Sequence, residues 1–197
     1  MEKEKIIYTV KIPQGVTIKL DKDNTVTLSS SKGQIMRCFK HYRAELKQKD
    51  NSIIVQGKPN DRKTIDIVRT IVSHLKNMSE GLLFGYKYDL QIVYSHFPMT
   101  AEVNGKKVIV KNFLGEKFAR ESKIVGDTKV VIKGHDVSVS GYNLEEVSQT
   151  STNIELATKV RGRDIRRFQD GIYLASKGNI DAKPEKFVVE VIRGIEE

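Results

Sequence analysis

The feature that most limits how this chain can fold is that its pattern of elements occurs twice. Residues 26–33 correspond to 108–115 at a shift of 82, and the strand at 52–57 corresponds to 136–141 at a shift of 84. In both places a strand ending in glycine leads to a helix headed by asparagine. A duplicated unit must build two similar cores. The expected fold class is therefore α+β: two tandem similar units, each an antiparallel β-sheet packed against one main α-helix. The expected boundaries are 1–84 for the first unit, 85–180 for the second and 181–197 for a C-terminal tail.

Local patterns support each half. Residues 16–20 alternate apolar and polar, as a half-buried strand does, and further short strands fit 6–12, 25–28, 34–39, 44–48 and 52–56. Turn chemistry separates them at 13–15, 21–24, 29–33 and 49–51. From Asp61 the period changes: Ile65, Val68, Val72 and Leu75 mark one helical face, with Asn60 as expected N-cap and Gly81 as expected stop. A strand at 86–95 restarts the pattern, followed by strands at 100–103 and 107–111 around an Asn104-Gly105 hairpin turn, then 118–125, 129–133 and 136–140. Asn143 and Glu146 read as a capping box opening a helix to about Val160, with Val147, Ile154 and Ala157 on its apolar side. Residues 177–179 read as a loop and 187–192 as a last apolar strand or docking segment.

Charge is concentrated where the second helix ends. Arg161, Arg163, Arg166 and Arg167 fall within seven residues, interleaved with Phe168 and Tyr173 and flanked by Gly162 and Gly171. The planar guanidinium grips phosphate through two parallel hydrogen bonds and stacks on bases, so this density points to an RNA backbone. Arg161, Arg163, Arg166, Arg167 and Lys177 are the expected phosphate contacts. Gly162 and Gly171 would let the backbone approach closely. Phe168 and Tyr173 either stack on an unpaired base or pin the segment to the sheet from the core. A second basic surface is expected from Lys106, Lys107, Lys111, Lys117 and Arg120. The first unit supplies a further basic group in Lys32, Arg37, Lys40, Arg43 and Lys47.

The segment Arg166-Arg167-Phe168-Gln169-Asp170-Gly171-Ile172-Tyr173-Leu174 resembles the C-terminal signature of the ribosomal protein L six family in its archaeal and eukaryotic branch, which includes the eukaryotic L nine type. The resemblance extends over nearly the whole chain, including its duplicated layout. It departs at Leu156, where the family pattern has glutamine, and it lacks the lysine- and glycine-rich bacterial ending. It implies a structural constituent of the large ribosomal subunit that binds 23S-type rRNA mainly through the second unit, near the stalk base and the sarcin-ricin region. There it would lie beside neighbouring ribosomal proteins and support translation-factor docking.

Composition agrees with a polyanionic partner. The chain has 34 Lys plus Arg against 25 Asp plus Glu, a net charge of +9. Residues 106–133 hold eight basic and three acidic side chains, and 161–177 hold five and two. One basic face on the second unit follows. Cys38 is the only cysteine, which precludes an intrachain disulfide or a cysteine-built zinc site, fits a reducing cytoplasm, and reads as a small buried hydrophobe. The four histidines are not spaced as metal ligands, and no nucleophile elbow, phosphate loop or dinucleotide fingerprint occurs. No apolar run is long enough for a membrane helix, and the start is wrong for a signal peptide. The expectation is a cytoplasmic, ribosome-bound, non-enzymatic protein with no cofactor, metal or small-molecule substrate. Alternatives are a metal-dependent RNA-processing nuclease using Asp164 or Asp170, and a free-standing RNA chaperone.

Overall fold

The computed structural model describes residues 5–21, 23–40, 44–57, 62–182, 184 and 189–196. Two compact units result: Met1–Phe84 together with Lys183–Glu197, and Gly85–Ala182. The α+β expectation holds, with each unit combining antiparallel sheets and one long helix.

In the first unit, strands β1 (Lys5–Lys11), β2 (Thr17–Leu20), β3 (Thr25–Ser30), β4 (Gly33–Cys38), β5 (Ala44–Lys49) and β6 (Ser52–Gly57) precede helix α1 (Arg62–Phe84). Strands β2, β3 and β4 form a three-stranded antiparallel sheet. Beneath α1, Val68, Ile71, Leu75 and Leu82 meet Val10, Leu28 and Ile53 in one closed core. Their three- and four-residue spacing places them on a single helical face, and each buried aliphatic side chain contributes about 1.5–3 kcal/mol relative to exposure. The helix does not stop at Gly81. It continues to Phe84 because Leu82 is 1% exposed in that core, and burial of this leucine outweighs the poor helix propensity of one glycine. The stop falls at Gly85, whose φ of +64° is the left-handed conformation that ends helices. The expected Asn60 cap lies outside the described residues.

In the second unit, β7 (Tyr86–Val93), β8 (Thr100–Asn104), β9 (Lys107–Lys111), β10 (Arg120–Lys123), β11 (Lys129–Lys133) and β12 (Asp136–Gly141) precede helix α2 (Leu144–Ala157), which is followed by β13 (Gly171–Gly178). The main sheet has the order β11-β12-β7-β13, and β10-β9-β8 form a second sheet. Val147 and Ile154 of α2 are fully buried against Val137, Val139, Leu90 and Ile172. Strand β13 replaces the loop expected at 177–179 and pairs with β7 from Gly171 opposite Val93 to Gly178 opposite Lys87, with an irregularity between Leu174 and Ser176. Alternation is blurred by that irregularity and by five outward residues at 173 and 175–178, so the strand has little periodic signal.

The last strand, β14 (Val191–Glu196), completes the first unit and starts later than the 187–192 expected from the sequence. It runs antiparallel beside β1, with Val191 opposite Val10 and Lys5 opposite Glu196, and gives the sheet the order β14-β1-β6-β5. Residues within the segment expected as a separate tail thus supply an edge strand, and Val189 is buried in the first core. The two main sheets match strand for strand: β1 with β7, β6 with β12, β5 with β11, and β14 with β13. Only the fourth strand differs in origin, coming directly after the helix in one unit and from the chain's end in the other.

Candidate nucleic-acid interface

The arginine segment is a loop strung between α2 and β13, and both of its ends are tied. Asn143 caps α2 by accepting the Glu145 N–H at 3.1 Å. Glu146 does not close a capping box. It accepts the Asp127 N–H of the turn at Gly126 at 3.3 Å, a turn whose φ of +60° brings its backbone close under that carboxylate. The helix ends at Ala157, short of Val160, because Thr158 turns its hydroxyl back to the Ile154 and Glu155 carbonyls. The same hydroxyl accepts the Ile172 N–H at 2.9 Å, and the Glu155 carboxylate accepts the Leu174 N–H at 2.8 Å. Two donors on the free edge of β13 are thereby satisfied by the helix, which closes off that edge and fixes the loop's exit.

Two aspartates shape the loop between these ends. Asp164 accepts the Arg166 N–H on its side chain at 2.9 Å, while its carbonyl accepts the Arg167 and Phe168 N–H groups. Asp170, 3% exposed, accepts both the backbone N–H and the hydroxyl of Ser95, at 3.1 and 3.2 Å. Both acids are committed to backbone geometry. Among the described residues no three His, Cys, Asp or Glu side chains gather in one place.

The loop so formed presents Arg161, Arg163, Arg166 and Arg167 to solvent. Arg163 lies over the Phe168 ring at 5.0 Å, and Phe168 is half-buried against the second core, which makes it a pin for the loop. Tyr173 is 46% exposed, but its ring folds back over Gly171 and its hydroxyl donates to the Gln169 carbonyl at 3.1 Å. Gly171 is buried beneath that ring, so its missing side chain makes room for tyrosine and the expected close approach of RNA backbone is blocked there. Gly162 differs. Its φ is +68° with open space around it, and any side chain would be strained there. Lys177 sits over the Tyr88 ring at 5.5 Å with its ammonium exposed.

The second basic surface divides by what its cations already hold. Lys107 pairs with Glu121 at 2.6 Å and Lys111 with Glu102 at 2.7 Å, both across the β8-β9-β10 sheet. Arg120 is turned inward. Its Nε and one terminal nitrogen grip both Glu116 oxygens at 2.8 and 2.6 Å, and the other terminal nitrogen donates to the carbonyls of Ala157 and Lys159 at 2.9 and 3.3 Å. Its guanidinium also covers the Phe113 ring at 4.1 Å. The Arg120 guanidinium holds the Glu116 carboxyl below its usual range. Arg120 is therefore a clamp on the C-terminal end of α2, where a cation also complements the helix dipole, and is not available as a phosphate contact. Lys106 and Lys117 are exposed and have no ion pair among the described residues.

First-unit cations are engaged locally. Lys32 donates to the Leu83 carbonyl at 2.6 Å near the end of α1, Lys40 pairs with Asp23 at 3.2 Å, and Arg37 lies over Phe39 at 5.6 Å. Lys47 is exposed on β5, while Arg43 lies outside the described residues. Cys38 is exposed rather than buried, since its position on β4 faces outward and its thiol points to the Asp23 carbonyl at 3.9 Å. Among the described residues no helix is long and apolar enough to cross a membrane.

Phe118, expected as the first residue of a strand at 118–125, lies instead in the loop before β10, which begins at Arg120, and is 87% exposed. A loop aromatic carries no periodic signal, and only its exposure distinguishes it.

Comparison with known proteins bears on this geometry. A family described as Ribosomal protein L6 matches residues 97–171, the stretch running from the loop before β8 to the start of β13. The large ribosomal subunit protein uL6 of Staphylothermus marinus is 48% identical, over 88% of this chain and 95% of its own length. That of Aeropyrum pernix is 43% identical over 86% of this chain and 93% of its own, and that of Methanocella arvoryzae 44% over 87% and 97%. With such identity over more than four fifths of its length, the chain belongs to the ribosomal protein L6 family.

Proposed function

We propose that this protein is a non-enzymatic structural constituent of the large ribosomal subunit, cytoplasmic in the ribosome, that binds large-subunit rRNA through its second unit. The observation carrying the proposal is the loop between α2 and β13. It is tied by Thr158, Asp164 and Asp170, and it presents Arg161, Arg166 and Arg167 with no acidic partner among the described residues. A rigid cationic loop neutralises phosphates without losing much conformational freedom on binding, which favours one folded RNA over others of equal charge. Arg163, Lys177, Lys106 and Lys117 are the further phosphate contacts in this reading, and Gly162 keeps the loop's backbone unobstructed. The relatives' description as large-subunit proteins supports the ribosomal reading. By the family resemblance, the bound RNA lies near the stalk base and the sarcin-ricin region, beside other ribosomal proteins, where it braces the surface on which translation factors dock.

The test is salt-dependent binding of the intact protein and of Arg166→Ala/Arg167→Ala to a large-subunit rRNA fragment, with unrelated folded RNA of equal length as control. Selective binding that weakens several-fold in the variant, with a log–log salt slope shallower by about 1–2, is expected if the two arginines neutralise phosphates. Equal binding to both RNAs, unaltered in the variant, is the result a free-standing RNA chaperone would give and would overturn the assignment.

A further inference from the structure

Of the large apolar side chains among the described residues, Phe118 is the most exposed at 87%, ahead of Met36 and Ile165 at 69%. Its neighbour Phe113 is 1% exposed, so the same short segment buries one phenylalanine and holds the other out. Burial of an aromatic ring is strongly favourable, and a chain that withholds one has lost that contribution unless something else covers the ring.

The loop holding Phe118 is also stiff before any ligand arrives. Asn112, Leu114 and Gly115 have φ of 59°, 50° and 76°, and a buried leucine in the left-handed region is a strained conformation that the surroundings must enforce. The enforcement is visible. The Glu116 N–H donates to the Phe113 carbonyl at 2.9 Å, the Asn112 amide donates to the Pro98 carbonyl at 3.0 Å, and the Glu116–Arg120 fork closes the loop from Glu116 to Arg120. Phe118 and Lys117 therefore stand on a fixed turn.

That turn adjoins the arginine loop. Arg120 bonds the carbonyls of Ala157 and Lys159, two residues short of Arg161, and the Glu116 carboxyl feels the positive charge of Arg163. The one acid on the turn, Glu116, is neutralised on both oxygens by Arg120. An apolar partner pocket would have to strip water from Lys117 and from the arginines of the adjoining loop. An RNA strand supplies phosphates for those cations and a flat base for the ring at once.

We propose that Phe118 is a stacking platform for an unpaired nucleobase, with Lys117, Arg161 and Arg163 taking the phosphates that flank it. This rests on the rRNA-binding assignment above and adds to it the single-stranded, base-reading part of the contact.

The chain contains no tryptophan, so Phe118→Trp places one fluorophore at this position. Titrating that variant with the large-subunit rRNA fragment is expected to quench its emission, as stacking on a base does. Phe118→Ala is expected to weaken binding by about ten-fold or more with the salt slope unaltered, because a neutral ring releases no counterions. Phe118→Leu, which keeps apolar bulk without a π-face, is expected to bind as weakly as Phe118→Ala. An unquenched tryptophan, wild-type affinity in Phe118→Ala, or rescue by leucine would each overturn the stacking proposal. If the wild-type protein binds the fragment selectively in that experiment, the rRNA assignment still stands. If the wild-type protein shows no selective binding, both fall.

Discussion

Replacing Arg120 by methionine separates a structural arginine from an RNA-binding one. Methionine keeps the unbranched apolar stem of the side chain and removes every donor. The lost contacts are a two-pronged ion pair with Glu116, two bonds to carbonyls at the end of α2, and the guanidinium lying over Phe113. The ion pair is partly exposed, at 26% and 38% for the two side chains, so it contributes only about 1 kcal/mol. The two carbonyl bonds contribute about 1 kcal/mol each and the ring contact about 0.5–1 kcal/mol, giving a destabilisation on the order of 3–4 kcal/mol. Urea unfolding followed by circular dichroism reads this directly. The pH dependence supplies an internal check. Because Arg120 depresses the Glu116 carboxyl, the pair's stability is present above the unfolded carboxyl value near 4.5 and is lost as pH falls through the lower folded value. The difference between wild type and Arg120→Met should therefore be largest near neutrality and shrink below pH 4.5. A variant as stable as wild type at pH 7, yet binding RNA with a shallower salt slope, would refute the clamp and return Arg120 to the phosphate contacts.

Two further substitutions test the framework around the site. Val189→Ala, at a side chain 3% exposed in the first core, is expected to cost about 2 kcal/mol in denaturant unfolding, whereas a loosely attached tail would leave stability unchanged. Asp170→Ala leaves the Ser95 N–H and hydroxyl without their acceptor, at a cost of about 1–3 kcal/mol, and loosens the arginine loop. RNA affinity should fall although the loop's net charge becomes more positive, and a titration showing tighter binding would mean that charge alone sets the affinity.

The strands and helices that bury one face were legible in the sequence because burial writes a period into the chain. Val68, Val72 and Leu75 on α1 and Val137 and Val139 on β12 carry it plainly. Strand β13 was not legible. Its backbone donors are met by Thr158 and Glu155, distant in sequence, and most of its side chains face outward, so no alternation marks it. The site was legible as a composition and not as roles. The density of Arg161, Arg163, Arg166 and Arg167 is visible in one dimension, but the inward turn of Arg120 depends on carbonyls 37 and 39 residues away. Tyr173 over Gly171 is an i,i+2 contact on one face of a strand, readable only once the strand is known. Phe118 is the converse case, since a residue that packs against nothing leaves no pattern to read.

The duplication itself explains why the basic loop is found in one unit only. In both units the fourth strand lies beside the first, with β13 on β7 and β14 on β1. In the second unit the chain reaches that position directly from α2, and the return needs a connection across the helix end, residues 158–170. In the first unit α1 is followed at once by β7, and the fourth strand arrives from the far end of the chain. No connection from α1 to a fourth strand of its own unit exists there. The loop that carries the arginines is thus a product of one copy's connectivity. The strand beneath it can hold that loop because β7 supplies the ladder for β13, while Ser95, two residues past the end of β7, bonds Asp170 on the loop's last turn. A duplicated fold supplied two equivalent scaffolds, and the copy whose helix connects locally to its last strand is the one able to present a tied cationic loop.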